Sequence, residues 1–212
     1  MISLFKSGAG TAPPTINAKR VFLRIPGMDD HMDWAHLREQ SRTFLTPWEP
    51  VWHPSDLTRA SFKRRLKRYT QDIREDRGYS FFIFDKDTDS LLGGLSLTNV
   101  RRGVTQSCSV GYWMGAPHAG RGYMSEAVQA IIPFVFDGLK LHRVEAACLP
   151  ENAASIRLLE KAGFEREGYA KQFLCINGRW QDHILFGLIR RTADKSAVAN
   201  GNQKSDFPNE SL

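Results

Sequence analysis

Residues 107–164, SCSVGYWMGAPHAGRGYMSEAVQAIIPFVFDGLKLHRVEAACLPENAASIRLLEKAGF, decide the fold. SCSVGYWM (107–114) reads as a strand, and the turn Ala119-Gly120-Arg121-Gly122 follows it. The apolar stretch from about 123 to 139 predicts a helix, 143–149 a second strand, and Asn152-Ala153-Ala154-Ser155 the start of another helix over 153–162. A helix start presents unpaired N–H groups and the positive end of a dipole. A glycine-lined turn entering a helix is therefore built to receive an anion such as pyrophosphate.

Outward from this crossover the signals turn antiparallel. RVFLRI (20–25) predicts a strand, and Asp29 or Asp30 can cap a helix running toward Arg42. TFLTPWEPVW (43–52) is a loop whose two prolines bracket Trp48-Glu49, and Ser55 is expected to cap a helix with Phe62, Leu66, Tyr69 and Ile73 on one stripe. Strands are expected at 79–85 and 91–99, joined by the turn-forming run Asp85 to Ser90, and two more meet at Asn177-Gly178. Pro133 falls inside the helix after the glycine turn and predicts a kink. The fold class is α/β (α+β), with a mixed, mostly antiparallel twisted sheet and flanking helices in a single domain. That domain spans 18–191, between polar or small-residue tails at 1–17 and 192–212 that are expected to be disordered.

At 212 residues, 42% hydrophobic and 11% aromatic, the chain can bury one sizeable core. Its 29 Lys+Arg against 23 Asp+Glu leave a charge of +6, which favours acidic partners. Lys63, Arg64, Arg65, Lys67 and Arg68 concentrate part of that excess on one helix, either as a solvated face or as a contact with RNA or the ribosome. Cys108, Cys148 and Cys175 lack metal-ligand spacing and are expected to be reduced core thiols in a cytoplasmic protein. Neither a secretory leader nor a membrane span is expected, because no long apolar run occurs. No metal is expected.

Two familiar anion-binding turns do not fit. Ser125 stands where a dinucleotide fingerprint needs its third glycine, and no G-x-x-x-x-G-K-[ST] occurs. The chain instead resembles the GNAT superfamily of acyl-CoA-dependent N-acetyltransferases, and within it the RimJ/RimL-type ribosomal-protein alanine N-acetyltransferases. The resemblance rests on Pro47-Trp48-Glu49-Pro50, Gly111-Tyr112-Trp113, Gly120-Arg121-Gly122, Asn152-x-x-Ser155 and Leu158-Leu159-Glu160-Lys161-x-Gly163-Phe164. It continues through Glu167-Gly168-Tyr169-Ala170-Lys171 and Asn177-Gly178-x-Trp180-x-Asp182-His183, covering residues 20–190. Of the superfamily pattern [QR]-x-x-G-x-[GA], only Gly122 matches, with Ala119 and Met124 at the outer positions.

The resemblance implies a GNAT-like domain using acetyl-CoA. Its pyrophosphate would lie on the N–H groups of Ala119, Gly120, Arg121, Gly122, Tyr123 and Met124, and its pantetheine along Tyr112, Trp113 and Met114. Asn152 and Ser155 would reach the thiol end, and an N–H near Trp113 or Met114 would stabilise the oxyanion. Many superfamily members carry a general-acid tyrosine where this chain has Leu159, so Ser155 becomes the nearest proton donor for the thiolate. Glu49 is the first candidate to take the amine proton and Glu145 the second, while Trp48, Tyr169, Asp182 and His183 are candidates to contact the acceptor. The implied acceptor is a protein N-terminal α-amine of the ribosomal-protein alanine type; a small amine such as a polyamine, an antibiotic or an amino-acid derivative is the alternative. A non-enzymatic RNA-binding module is the reading from a different class, and both monomer and homodimer remain open.

Overall fold

Which face of a strand is buried follows from its sequence, and here the run Ser80-Phe81-Phe82-Ile83-Phe84 has no polar alternate beyond its first residue. Such a strand must be covered on both sides. The structure, a computed structural model, describes residues 14–190 and covers it in that way. The eight strands are β1 (Ile16–Asn17), β2 (Val21–Arg24), β3 (Tyr79–Asp85), β4 (Leu91–Arg101), β5 (Ser107–Met114), β6 (Arg143–Cys148), β7 (Glu165–Ile176) and β8 (Arg179–Ile189). They form one sheet in the order β1-β2-β3-β4-β5-β6-β8-β7. Only the β5–β6 pair is parallel; every other pairing is antiparallel.

Phe81 and Ile83 face a core built with α4 (Tyr123–Pro133) and α5 (Ala153–Lys161), where Ala127, Val128, Ile131 and Leu159 are buried. Phe82 and Phe84 face the other way. There they meet Trp34 and Leu37 of α1 (His31–Gln40) and Phe62 of α3 (Arg59–Arg74). A short α2 (Arg42–Leu45) extends α1 toward the loop at 48–52. No helix among the described residues is long and apolar enough to cross a membrane.

Several local expectations need correction. Thr58, not Ser55, caps α3, its hydroxyl accepting from Ser61 N–H at 3.3 Å. Asp30 does not cap α1 through its side chain; it is buried and takes a bidentate pair from Arg24 at 2.6 and 2.8 Å. Ile16–Asn17, expected within the N-terminal tail, adds a strand to β2, whereas residues 1–13 and 192–212 of the expected tails lie outside the described residues. Cys108 and Cys148 are buried, but Cys175 is exposed because β7 is an edge strand with little packed on it. At Pro133 the helix changes character rather than ending. Phe134–Gly138 forms a wider π turn, closed by Leu139 N–H to Phe134 O at 2.8 Å.

Candidate active site

The sheet divides at its only parallel pair. β5 and β6 match over just three residue pairs, Ser107 with Arg143, Cys108 with Val144 and Ser109 with Glu145. Beyond them β5 stays with β4 as far as Met114, while β6 follows β8 as far as Cys148. The edge of β5 from Val110 to Met114 therefore faces a gap in which no strand supplies hydrogen-bond partners. Across this gap the Tyr112 Oη and Ser155 Oγ atoms lie 2.7 Å apart. Asn152 caps α5 by accepting from Ser155 N–H at 3.0 Å, which fixes where the serine hydroxyl stands. Burial pushes the Tyr112 phenol up to about 12, with the Ser155 hydrogen bond acting in the opposite direction. Burial likewise pushes the neighbouring Cys148 thiol up to about 11.

The turn at one end of the gap is shaped by glycine. Gly120 and Gly122 have φ of 74° and 82°, and Gly122 opens α4 with no side chain capping it. The first backbone bond into the helix runs from Glu126 N–H to Gly122 O at 3.1 Å, so the amides of residues 120–125 have no helical acceptor, whereas Ala119 N–H, expected among the free ones, already donates to Ala116 O at 3.3 Å. Arg20 braces the turn from outside. It pairs with Glu126 at 3.0 Å, donates to Arg121 O at 3.3 Å and lies over the Tyr123 ring at 4.6 Å. Burial pushes Glu126 up, but the hydrogen bonds and charge of Arg20 outweigh it and hold the carboxyl below its usual range. With the acid of the first helical turn already paired, the converging N–H groups and helix dipole fit a diphosphate.

On the opposite face of the sheet lies a cavity of about 380 Å³. Ser80, Gly94, Ser96, Gly111 and Trp113 form its floor, with α1, the loop at 49–52 and α3 as walls. Arg38 organises it. Its guanidinium donates to both oxygens of Glu49 at 2.7 and 2.6 Å and stacks on Trp52 and Trp113 at 4.1 and 4.8 Å. Trp52 Nε1–H also donates to Glu49, at 2.8 Å, so three of roughly four carboxylate acceptor positions are used. The tip of the β7–β8 hairpin closes this wall, Asn177 N–H donating to Glu49 O at 2.8 Å. A second recess of about 570 Å³ continues between α3 and β4 as far as Val100. Arg65, Tyr69, Ser80 and Ser96 border both, so the two form one open trough that starts beside the gap at Gly111–Trp113.

The structure thus brings together Glu49, Tyr112, Trp113, Met114, the turn at 119–124, Asn152 and Ser155 around the gap and its two sides. It separates the remaining candidates. Glu145 does not line the trough; its carboxylate pairs with Arg101 at 2.5 Å and Arg143 at 3.1 Å in a network that includes Glu167. Tyr169 donates to Asp182 at 2.7 Å, Asp182 also accepts from Gln172 N–H, and buried His183 contacts Gln181 O, so this set joins β7 to β8 away from the trough. Trp48 also lies off the lining, and Trp34, Trp52 and Arg38 take the place expected for it. Those three carry no short motif. Only the spacing of Trp34 and Arg38, four apart on α1, hinted at a shared face.

The model of the acetyltransferase (GNAT) domain matches residues 20–165. "Probable N-acetyltransferase YjcK" of Bacillus subtilis (strain 168) is 33% identical over 174 residues, covering 82% of this chain and 96% of the relative. The "[Ribosomal protein uS5]-alanine N-acetyltransferase" of Escherichia coli (strain K12) is 34% identical over 173 residues, covering 82% and 89%. The solved structure of Mycobacterium smegmatis RimJ in complex with CoA-disulfide superposes with a TM-score of 0.80 at 29% identity, covering 84% of this chain and 88% of that one.

Proposed function

This chain belongs to the acetyltransferase (GNAT) domain family and is an N-acetyltransferase, and from that premise we propose that it acetylates the α-amine of a protein N-terminus. Acetyl-CoA supplies the acetyl group as a thioester, whose C–S bond breaks as the amine nitrogen bonds to the acetyl carbon. The relatives named for ribosomal-protein alanine point to a ribosomal protein as the acceptor. Three unpaired cysteine thiols fit a reducing, cytoplasmic setting.

The observation that carries this reading is the open trough meeting the β5–β6 gap at Gly111–Trp113. An enclosed pocket suits a small amine; an open trough admits the end of a chain. The amides of residues 120–124 would hold the diphosphate of the cosubstrate, and the free edge of β5 its amide-bearing arm. An α-amine near pKa 7.7–8.0 is freed at pH 7 for about 1 kcal/mol, against about 4.6 kcal/mol for a lysine. Such an amine requires no strong base. Glu49, with one acceptor position left, orients the amine and holds Arg38 and Trp52 in the wall.

At the other end of the reaction, the leaving sulfur gains the proton that the amine sheds. Transfer from the Tyr112 phenol at about 12 to a thiolate near 8.5 runs uphill by about 5 kcal/mol. The Ser155–Tyr112 pair therefore acts by donating a hydrogen bond as charge grows on sulfur. A thiol-release assay over peptides beginning with Ala or Ser, spermidine and an aminoglycoside tests the assignment, with mass spectrometry locating the acetyl group. Acetylation at the peptide α-amine is expected; turnover confined to the small amines overturns it.

A further inference from the structure

The helix α3 carries its basic residues on two faces. Lys63, Arg64 and Lys67 are exposed and lie off the trough, whereas half-buried Arg65, exposed Arg68, Tyr69 and Asp72, spaced three, four and seven residues from the first, line it. The charges along that wall are not equivalent. Arg38 is paired with Glu49 and Arg77 with Asp72 at 3.2 Å. Asp56, also in the lining, accepts from His53 N–H at 2.8 Å. Among the described residues, no carboxylate lies within ion-pair distance of Arg65 or Arg68. Arg65 is instead held against aromatic rings, 5.3 Å over Trp34 and 3.4 Å from Tyr69 Oη, so its charge is positioned without being neutralised.

We propose that this wall selects acceptor chains carrying acidic side chains in the few residues after the N-terminal amine. The proposal rests on the peptide acceptor assigned above and adds its chemistry. Along β4 the trough runs from Gly94 to Val100, six strand steps of about 3.3 Å, or roughly 20 Å of extended chain. An acceptor of about six residues therefore passes Arg65 first, where the two recesses join, and Arg68 next. Ser80 and Ser96, which border both recesses, keep the floor there low enough for its backbone. Two unneutralised guanidinium groups beside an extended chain favour carboxylates at those positions and oppose lysines. A nucleic-acid contact uses Lys63, Arg64 and Lys67 at least as readily, since they face outward, and gives no reason for two arginines to be turned into a trough.

The test compares hexapeptides that begin with Ala-Ser and differ only at residues three to five, carrying Glu, Gln or Lys. Mass spectrometry reads acetylation, and each peptide is assayed at low and high salt. The Glu series is expected to exceed the Lys series at least tenfold in kcat/KM, with the difference shrinking in salt. Arg68→Glu should lower the Glu peptide at least tenfold and raise the Lys peptide, while CoA affinity by calorimetry stays unchanged and shows that the variant is folded. Equal rates for all three peptides overturn the charge selection and leave the α-amine reading standing. No acetylation of any peptide overturns both. Loss of RNA binding in Arg68→Glu without any change in peptide preference assigns the arginines to nucleic acid and also overturns the proposal.

Discussion

Ser155 and Tyr112 lie 43 residues apart and share one hydrogen bond, so the two hydroxyls can be separated by substitution. Ser155→Ala removes one of the two hydroxyls and is expected to lower kcat about 10- to 100-fold, with CoA affinity within a factor of two. Tyr112→Phe keeps the ring and should cost less, about 3- to 10-fold. A drop in CoA affinity as large as the drop in kcat would make Ser155 a binding residue only. Tyr112 also titrates abnormally. Its phenol is raised to about 12, so the stability it contributes is fully present below pH 10 and is lost as pH rises toward 12. Over that window it contributes up to about 1.4 kcal/mol per pH unit to the fall in stability, and Tyr112→Phe should flatten the alkaline limb of a denaturation series accordingly.

At the level of elements, two glycines control opposite faces of the sheet. Gly122 begins α4 at φ 82°, where a side chain costs about 1–2 kcal/mol. Gly122→Ala is expected to weaken CoA binding at least tenfold in calorimetry, because the amides of the turn would have to move. Gly94 on β4 lies directly beneath the Trp113 indole, leaving no room for a Cβ. Gly94→Ala should displace Trp113 from Arg38 and lower acceptor kcat/KM with CoA affinity retained. If both variants impaired CoA binding equally, the two faces would not be functionally distinct. The glycine turn was legible in sequence because its requirement is local. Pro133 was half legible: the break in the ladder was expected, but whether it becomes a kink or a π turn depends on the packing of Phe134 against Tyr79 and Phe81.

Across the whole molecule, no cysteine is placed to act as a nucleophile. Cys108 and Cys148 are buried with thiols raised to about 12 and about 11, chiefly by burial, and Cys175 is on the edge strand. A variant with Cys108→Ala, Cys148→Ala and Cys175→Ser should retain turnover within about twofold while losing about 1–3 kcal/mol of stability in urea titration. Loss of turnover with the fold intact would require a covalent step. The strands expected at 79–85, 91–99 and 143–149, found within two residues of those bounds, the glycine turn, the Asn152 cap and the Asn177-Gly178 hairpin followed from the sequence itself. Each depends on pleat alternation, helical spacing or backbone freedom within a few residues. The trough did not. Arg38, Glu49, Trp52, Trp113 and Asn177 come from four separate parts of the chain, and only packing α1, its following loop and the hairpin tip over the same sheet face brings them together. Spacing along a chain determines which way a side chain points from its own element; which distant side chain it then meets depends on how whole elements pack.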